Sequence, residues 1–196
     1  MNGTDQCLVE RMLNDEEAAF AEIYRQHQQN LYRFALHMSG SRVAAEDVTQ
    51  EVFLALIARG QEYRPERGTL SAFLFGIARN QVLRWLRVNR KTVAMDAACD
   101  AVHPRPDPLK ALTRRENVDS IRRMILSLPP KYREAVVLCD LHEMDYDSAA
   151  TILGCSTGTV RSRLHRGRTL LEGKLRGCRA TAGHTRGGAS YEIPAL

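Results

Sequence analysis

The sequence predicts an all-α protein made of two small helical domains joined by a flexible linker, the second domain containing a helix-turn-helix. Three observations predict it. Apolar residues recur at helical spacing almost throughout, with no convincing strand alternation. The pattern collapses between Val93 and Leu109, where Pro104, Pro106 and Pro108 alternate with charged and small residues. Beyond it, YDSAATILGCSTGTVRSRLHRGR places a short apolar-faced helix, a glycine and an arginine-loaded helix in succession.

Asn14 with Glu17 resembles a capping box opening the first helix. Phe20, Ile23, Tyr24, Leu31, Phe34 and Ala35 give its stripe up to Met38, and Gly40 ends it. The second helix runs from Val43 to Ala58 and is closed by Gly60. The polar loop Gly60 to Gly68 carries Tyr63 and is broken by Pro65. The third helix runs from Leu70 to Arg90 with Leu74, Ile77, Ala78, Leu83 and Leu86 inward; Trp85 is read as core in preference to a nucleic-acid platform. After the linker, Val118 to Leu128 forms a helix with Ile121, Ile125 and Leu128 inward, and Pro130 to Leu141 forms the next.

In the helix-turn-helix, Ala149, Ala150, Ile152 and Leu153 form an apolar face, Gly154 stops the helix and Ser156 caps the next one. Val160, Leu164 and Leu171 make one buried stripe there, with Arg161, Arg163, Arg166 and Arg168 on the other faces. A buried stripe with a cationic outer face suits a DNA major groove. The Gly- and Ala-rich tail from residue 178 to 196 is expected to be disordered. The domain boundaries are therefore 1–92, a linker at 93–116, and 117–177.

The chain has 196 residues, 44% hydrophobic and 26% charged, an ordinary globular composition. Its net charge of +5 is unevenly spread. Arg79, Arg84, Arg87, Arg90 and Lys91 form one basic block without acids, and the segment from Ser156 to Arg179 forms a second with one acid, Glu172. Two separated basic blocks suggest two contacts with a polyanion. Five unpaired-looking cysteines suit a reducing cytoplasm, the N-terminus is no signal peptide, and no apolar run is long enough to span a membrane.

On the second helix, Asp47, Gln50 and Glu51 share one face with Leu54 among them, while Val48, Val52, Ala55 and Leu56 lie on another. Periodicity alone favours a solvated side over a protein-docking face. Tyr63, Arg64, Arg67, Arg79 and Asn80 form an aromatic and basic mixture suited to a single strand. No catalytic set, phosphate loop, cofactor or metal site is predicted; Cys139 and His142 lack a second ligand pair for zinc, and Cys139 reads as a core thiol.

Together AEDVTQEVF, FLFGIARNQVLRWLR and LPPKYREAVVLCDLHEMDYDSAATILGCSTGTVRSRLHRGRTLL, in this order, resemble the extracytoplasmic-function branch of the sigma-70 family. The resemblance implies a promoter-specificity subunit, not an enzyme, with core RNA polymerase (the β′ clamp and the β subunit) and promoter DNA as partners. It also implies an anti-sigma inhibitor, in this family often membrane-anchored. It assigns Asp47, Gln50, Glu51 and Leu54 to polymerase, reversing the preference for a solvated face. It assigns Tyr63, Arg64, Arg79, Asn80 and Arg84 to the −10 element, and Thr159, Arg161, Ser162, Arg163, His165, Arg166 and Arg168 to the −35 element. Two positions depart from the family: Phe73 stands where tryptophan is common, and Gly167 where alanine is usual. Glycine costs up to about 1 kcal/mol inside a helix, so the recognition helix is expected to be softer there. The alternative, a free-standing helix-turn-helix regulator, needs neither the Asp47–Glu51 face nor the Asn80 helix.

Overall fold

The computed structural model describes residues 2–89 and 119–184, with side chains over 4–89 and 119–176. The predicted linker, 93–116, lies outside the described residues. All regular elements among them are helical: α1 (Asn2–Leu13), α2 (Glu17–Ser39), α3 (Arg42–Arg59), α4 (Leu70–Val88), α5 (119–126), α6 (Pro130–Val136), α7 (Tyr146–Leu153) and α8 (Thr157–His184).

Helix α1 was not foreseen, and it displaces the expected capping box. The Asn14 amide donates back to the carbonyls of Glu10 and Arg11, Asp15 takes a positive φ of 61°, and Glu16 becomes the N-cap of α2. Glu16 is held there by the Arg11 guanidinium, which donates to it at 2.8 Å.

The ends of the other helices follow their sequence signals. Gly40 closes α2 in the left-handed region at φ 76°, its amide bonded to the Leu36 carbonyl. Its missing side chain matters twice, because a Cβ there would lie 2.9 Å from Leu126 of α5. Ser41 caps α3 and Thr69 caps α4, each hydroxyl accepting from the amide three residues on. Helix α4 buries Leu74 and Ala78 as expected, and also Phe75 and Val82; Ile77, Leu83, Trp85 and Leu86 are half-buried.

The segment after Pro130 is not one uniform helix. It loosens into a π-helical turn over Val137–Leu141, which moves His142 onto the N-terminal helices. Asp145 then caps α7, accepting from the Ser148 amide at 2.7 Å; these bonds hold its carboxyl below the usual carboxylate range. Gly154 ends α7 at φ 62°, and the Ser156 hydroxyl accepts from the Thr159 amide at the start of α8.

Two expectations are corrected. Ile121 is half exposed and does not face inward, because α5 packs through Ile125. Helix α8 continues to His184, so the tail expected to be disordered from residue 178 is helical over its first residues.

The two helical groups share one apolar core. Ile23, Leu31, Phe34, Leu74 and Phe75 of the first group cluster with Ile125, Leu138, Ala149, Ile152 and Val160 of the second. Each fully buried Leu or Phe contributes about 1.5–3 kcal/mol, so this shared surface is a substantial fraction of the fold. A smaller cluster of Leu128, Ala135, Val136 and Leu164 seats α8 on α6.

Candidate nucleic-acid interface

A cleft of about 670 Å³ opens beside the first half of α4. Its walls are the loop between α3 and α4, with Arg64 and Arg67, and the α4 face bearing Phe73, Ile77 and Asn80. The loop forms two short 3-10 turns, Gly60–Glu62 and Pro65–Arg67. Tyr63 stands between them, only 6% exposed. Its hydroxyl donates to the Gly68 carbonyl at 3.3 Å, and its ring meets Phe73 at 5.7 Å. Tyr63 is thus the pillar of the loop and not a free stacking surface. Arg64 folds back to donate to the carbonyls of Gln61 and Tyr63. Asn80 and Arg84 are exposed.

Arg79 is placed differently from the other basic residues of α4. Its guanidinium donates to both carboxylate oxygens of Glu134 on α6, at 3.0 and 3.4 Å. Glu134 is itself only 4% exposed at its side chain. Thr151 and Ile152 of α7 also line the cleft, so the second helical group covers one side of it.

On α8 the structure separates the expected faces. Val160, Leu164 and Gly167 are buried, and Leu171 is half-buried. Arg161, Ser162, His165, Arg166 and Arg168 are exposed, while Thr159 and Arg163 are half-buried. Arg161 lies over the Tyr146 ring at 5.4 Å. The Arg166 guanidinium beside Tyr132 pulls that phenol below its ordinary value. Arg168 is engaged within the protein, its Nε donating to Asp140 at 3.1 Å beside a second bond to the same carboxylate.

Gly167 corrects the expectation of a softer helix. A Cβ there would lie 2.6 Å from Val136 Cγ2 and 3.3 Å from the Tyr132 carbonyl. Glycine is present because α8 and α6 approach too closely for anything larger.

A second surface lies on α3. Asp47, Gln50, Glu51 and Leu54 are all exposed, Leu54 at 51%. The apolar groove beside them, lined by Phe20, Tyr24, Phe53 and Ile57, has a volume of about 740 Å³. The Tyr24 and Phe53 rings meet at 4.7 Å along it, tilted by 49°.

Sequence reasoning missed Arg133, Glu134 and His142, which join the two groups. Their signal was weak, since a charged residue in a short helix reads as solvated until its partner is known. Cys139 is half-buried and its thiol is pushed up, first by burial and then by Asp140, as suits an unreactive core thiol.

A helix-turn-helix with an exposed basic second helix, joined to a helical group with its own basic cleft, defines a DNA-binding transcription protein. Residues 23–92 match Sigma-70 region 2 and residues 119–171 match Sigma-70 region 4. The chain is 37% identical over 160 residues to the ECF RNA polymerase sigma factor SigE of Mycolicibacterium smegmatis, a match covering 79% of this chain and 60% of that protein. It is 28% identical over 182 residues to the ECF RNA polymerase sigma factor SigW of Bacillus subtilis, covering 86% of this chain and 95% of that one. Among solved structures it resembles the sigma factor RpoE of Bartonella quintana, solved in complex with the anti-sigma factor NepR. That similarity has a TM-score of 0.63 at 26% identity, covering 80% of this chain and 96% of that one. The chain belongs to the sigma-70 family, in its ECF branch. That family comprises transcription initiation factors. Among the described residues no helix is long and apolar enough to cross a membrane.

Proposed function

We propose that this protein is the promoter-specificity subunit of a bacterial RNA polymerase, acting in the cytoplasm through three surfaces. Residues 1–92 serve as region 2 and residues 117–177 as region 4. The α3 face of Asp47, Gln50, Glu51 and Leu54 docks on the β′ clamp of core polymerase. The neighbouring apolar groove supports this reading, because exposed aromatic and aliphatic side chains beside charges are the usual anatomy of a docking surface. The β subunit of core polymerase is the further contact of the bound factor.

The cleft at Asn80, with Arg64 and Tyr63 in its walls and the exposed Arg84 one turn further along α4, takes an unstacked base of the −10 element. Extruding a base costs a few kcal/mol, which the pocket returns by hydrogen bonding and stacking. Thr159, Arg161, Ser162, Arg163, His165, Arg166 and Arg168 face the −35 element. An anti-sigma factor, with a membrane-anchored one as the common arrangement, inhibits the protein by covering these polymerase-binding surfaces.

The observation that carries the reading is the exposed α3 face, which the fold itself does not require. A free-standing helix-turn-helix regulator has no use for it. The test is reconstitution with core polymerase. Asp47→Lys with Glu51→Lys should lower affinity for core at least tenfold while leaving the melting temperature within a degree or two, since exposed charges contribute little to stability. Unchanged core affinity would remove the polymerase assignment. In the same reconstituted enzyme, Asn80→Ala should impair promoter melting more than closed-complex formation.

A further inference from the structure

Helix α1 precedes the region 2 match, which begins at residue 23. It nonetheless touches both ends of the loop that shapes the α4 cleft. At one end, a Cβ on Gly60 would lie 2.9 Å from Met12 Cε and 3.4 Å from Leu13 Cδ2, so the α1 C-terminus presses directly on the start of the loop. At the other end, the Asp5 carboxylate accepts a 3.1 Å hydrogen bond from the Leu70 amide. Leu70 is the first residue of α4, and its amide has no acceptor inside the helix. Thr69 satisfies the Ala72 amide of the same turn, so α4 begins with one local and one distant cap. A carboxylate at a helix N-terminus also complements the partial positive charge there. Asp5 and Met12 are seven positions apart along the helix, about 10 Å at the usual rise, so α1 acts as a rigid strut along the loop. Leu8 and Val9, both buried, seat that strut in the core.

The Asp5 charge reaches further groups of the same corner. Burial lowers the pKa of His27, and Asp5 opposes that shift. Burial raises the pKa of Tyr63, and Asp5 adds to it. Tyr63 holds Gly68 through its hydroxyl, which places Asp5 behind the pillar of the loop as well as at the start of α4.

We infer that α1 is a brace for the base-binding cleft, and that Asp5 is its positioning residue: the Asp5–Leu70 bond and the Met12–Gly60 contact together hold the loop and the first turn of α4 in the shape that receives a −10 base. This rests on the assignment of the cleft to the −10 element. Asp5 touches no DNA; it acts through the backbone of α4 and the loop.

The test uses the full chain, alone and reconstituted with core polymerase. Hydrogen exchange reads the brace, and fluorescence anisotropy with a single-stranded −10 non-template oligonucleotide reads the cleft. Asp5→Ala should speed exchange at Leu70 and across 60–68 at least tenfold and weaken oligonucleotide binding three- to tenfold. Binding to core and to −35 duplex should not change. Asp5→Asn keeps an oxygen acceptor and should restore most of both effects, which a purely charge-dependent role would not allow. Met12→Ala, loosening the opposite end, should give the same signature and decides the matter if Asp5→Ala does not fold. Unchanged exchange in these variants overturns the brace. Faster exchange with unchanged oligonucleotide binding, where Asn80→Ala does weaken it, overturns its role in recognition. If Asn80→Ala binds the oligonucleotide normally, the −10 assignment is what fails, and the brace stands or falls on the exchange rates.

Discussion

The Arg133 guanidinium donates a 2.6 Å hydrogen bond to the carbonyl oxygen of Met38, tying α6 to the last turn of α2. The same side chain donates to the carbonyls of Leu126 and Leu128, so one buried cation gathers backbone acceptors from both helical groups. Each carbonyl is near a helix end, where no intrahelical amide is available to it. Arg133 therefore completes the C-terminal turns of α2 and α5 while fixing how the groups meet.

Arg133→Met keeps most of the apolar stem but removes every donor. It should destabilise the protein by about 2–4 kcal/mol, the cost of leaving several buried carbonyls without partners. Urea denaturation measures this directly, and a variant with the wild-type midpoint would show that water replaces the guanidinium at no cost.

The contact between the groups should weaken in acid. His37 and His142 face one another across it, and burial pushes both imidazoles down to about 4. Arg122 and Arg33 add to this at His37, and His37 and Arg33 add to it at His142. His142 also lies edge-on to Phe34 and Phe75, at 6.1 and 5.1 Å, where a charge is unwelcome. An unfolded histidine titrates near about 6.5, so between that pH and about 4 the unfolded chain binds more protons than the folded one. Stability is thus complete above about pH 6.5 and falls as the pH drops toward 4. Melting temperature measured across that range should fall, and His142→Phe should flatten the slope.

Gly167→Ala should destabilise by about 1–3 kcal/mol through overpacking, against the usual helix preference for alanine. The added methyl meets Val136 on α6. Val136→Ala should recover part of the loss, giving a favourable coupling in a double-mutant cycle. Additive effects in calorimetry would contradict the close approach.

Arg161→Ala should cost about 1–3 kcal/mol of binding and relax preference at one −35 position, as expected of a bidentate base contact. Arg168→Ala should weaken all sequences alike and lower the salt dependence. Because Asp140 holds Arg168, Asp140→Asn should strengthen binding to every −35 sequence by a similar factor. Selection of −35 variants with each mutant holoenzyme separates these outcomes.

Much of this molecule was legible in the sequence because local signals set it. Gly40 and Gly154 end their helices, Ser156 begins α8, and Val160 and Leu164 are buried as their spacing requires. The exposed faces of α3 and α8 could be read for the same reason. What was not legible depends on partners distant in sequence. Asp5 and Leu70 are 65 positions apart, and Arg79 and Glu134 are 55 apart. Gly167 looked like a flexibility defect because a helical pattern records one helix, not the distance to its neighbour. The short α1 was hidden by its polar composition, since among its described side chains only Leu8 and Val9 are buried.

On the proposed function, the Arg79–Glu134 pair would make the −10 and −35 surfaces thermodynamically interdependent. A guanidinium committed to a carboxylate is withdrawn from phosphate, so any strand that recruits Arg79 does so in competition with α6. Release of that carboxylate loosens the attachment of α6, and with it the platform on which α8 rests through Val136 and Leu164. Engagement of one promoter element would then alter the affinity for the other, and by reciprocity the second would alter the first by the same factor. Glu134, which need touch no DNA, would set the strength of that coupling, and a substitution there should retune both ends of a promoter at once.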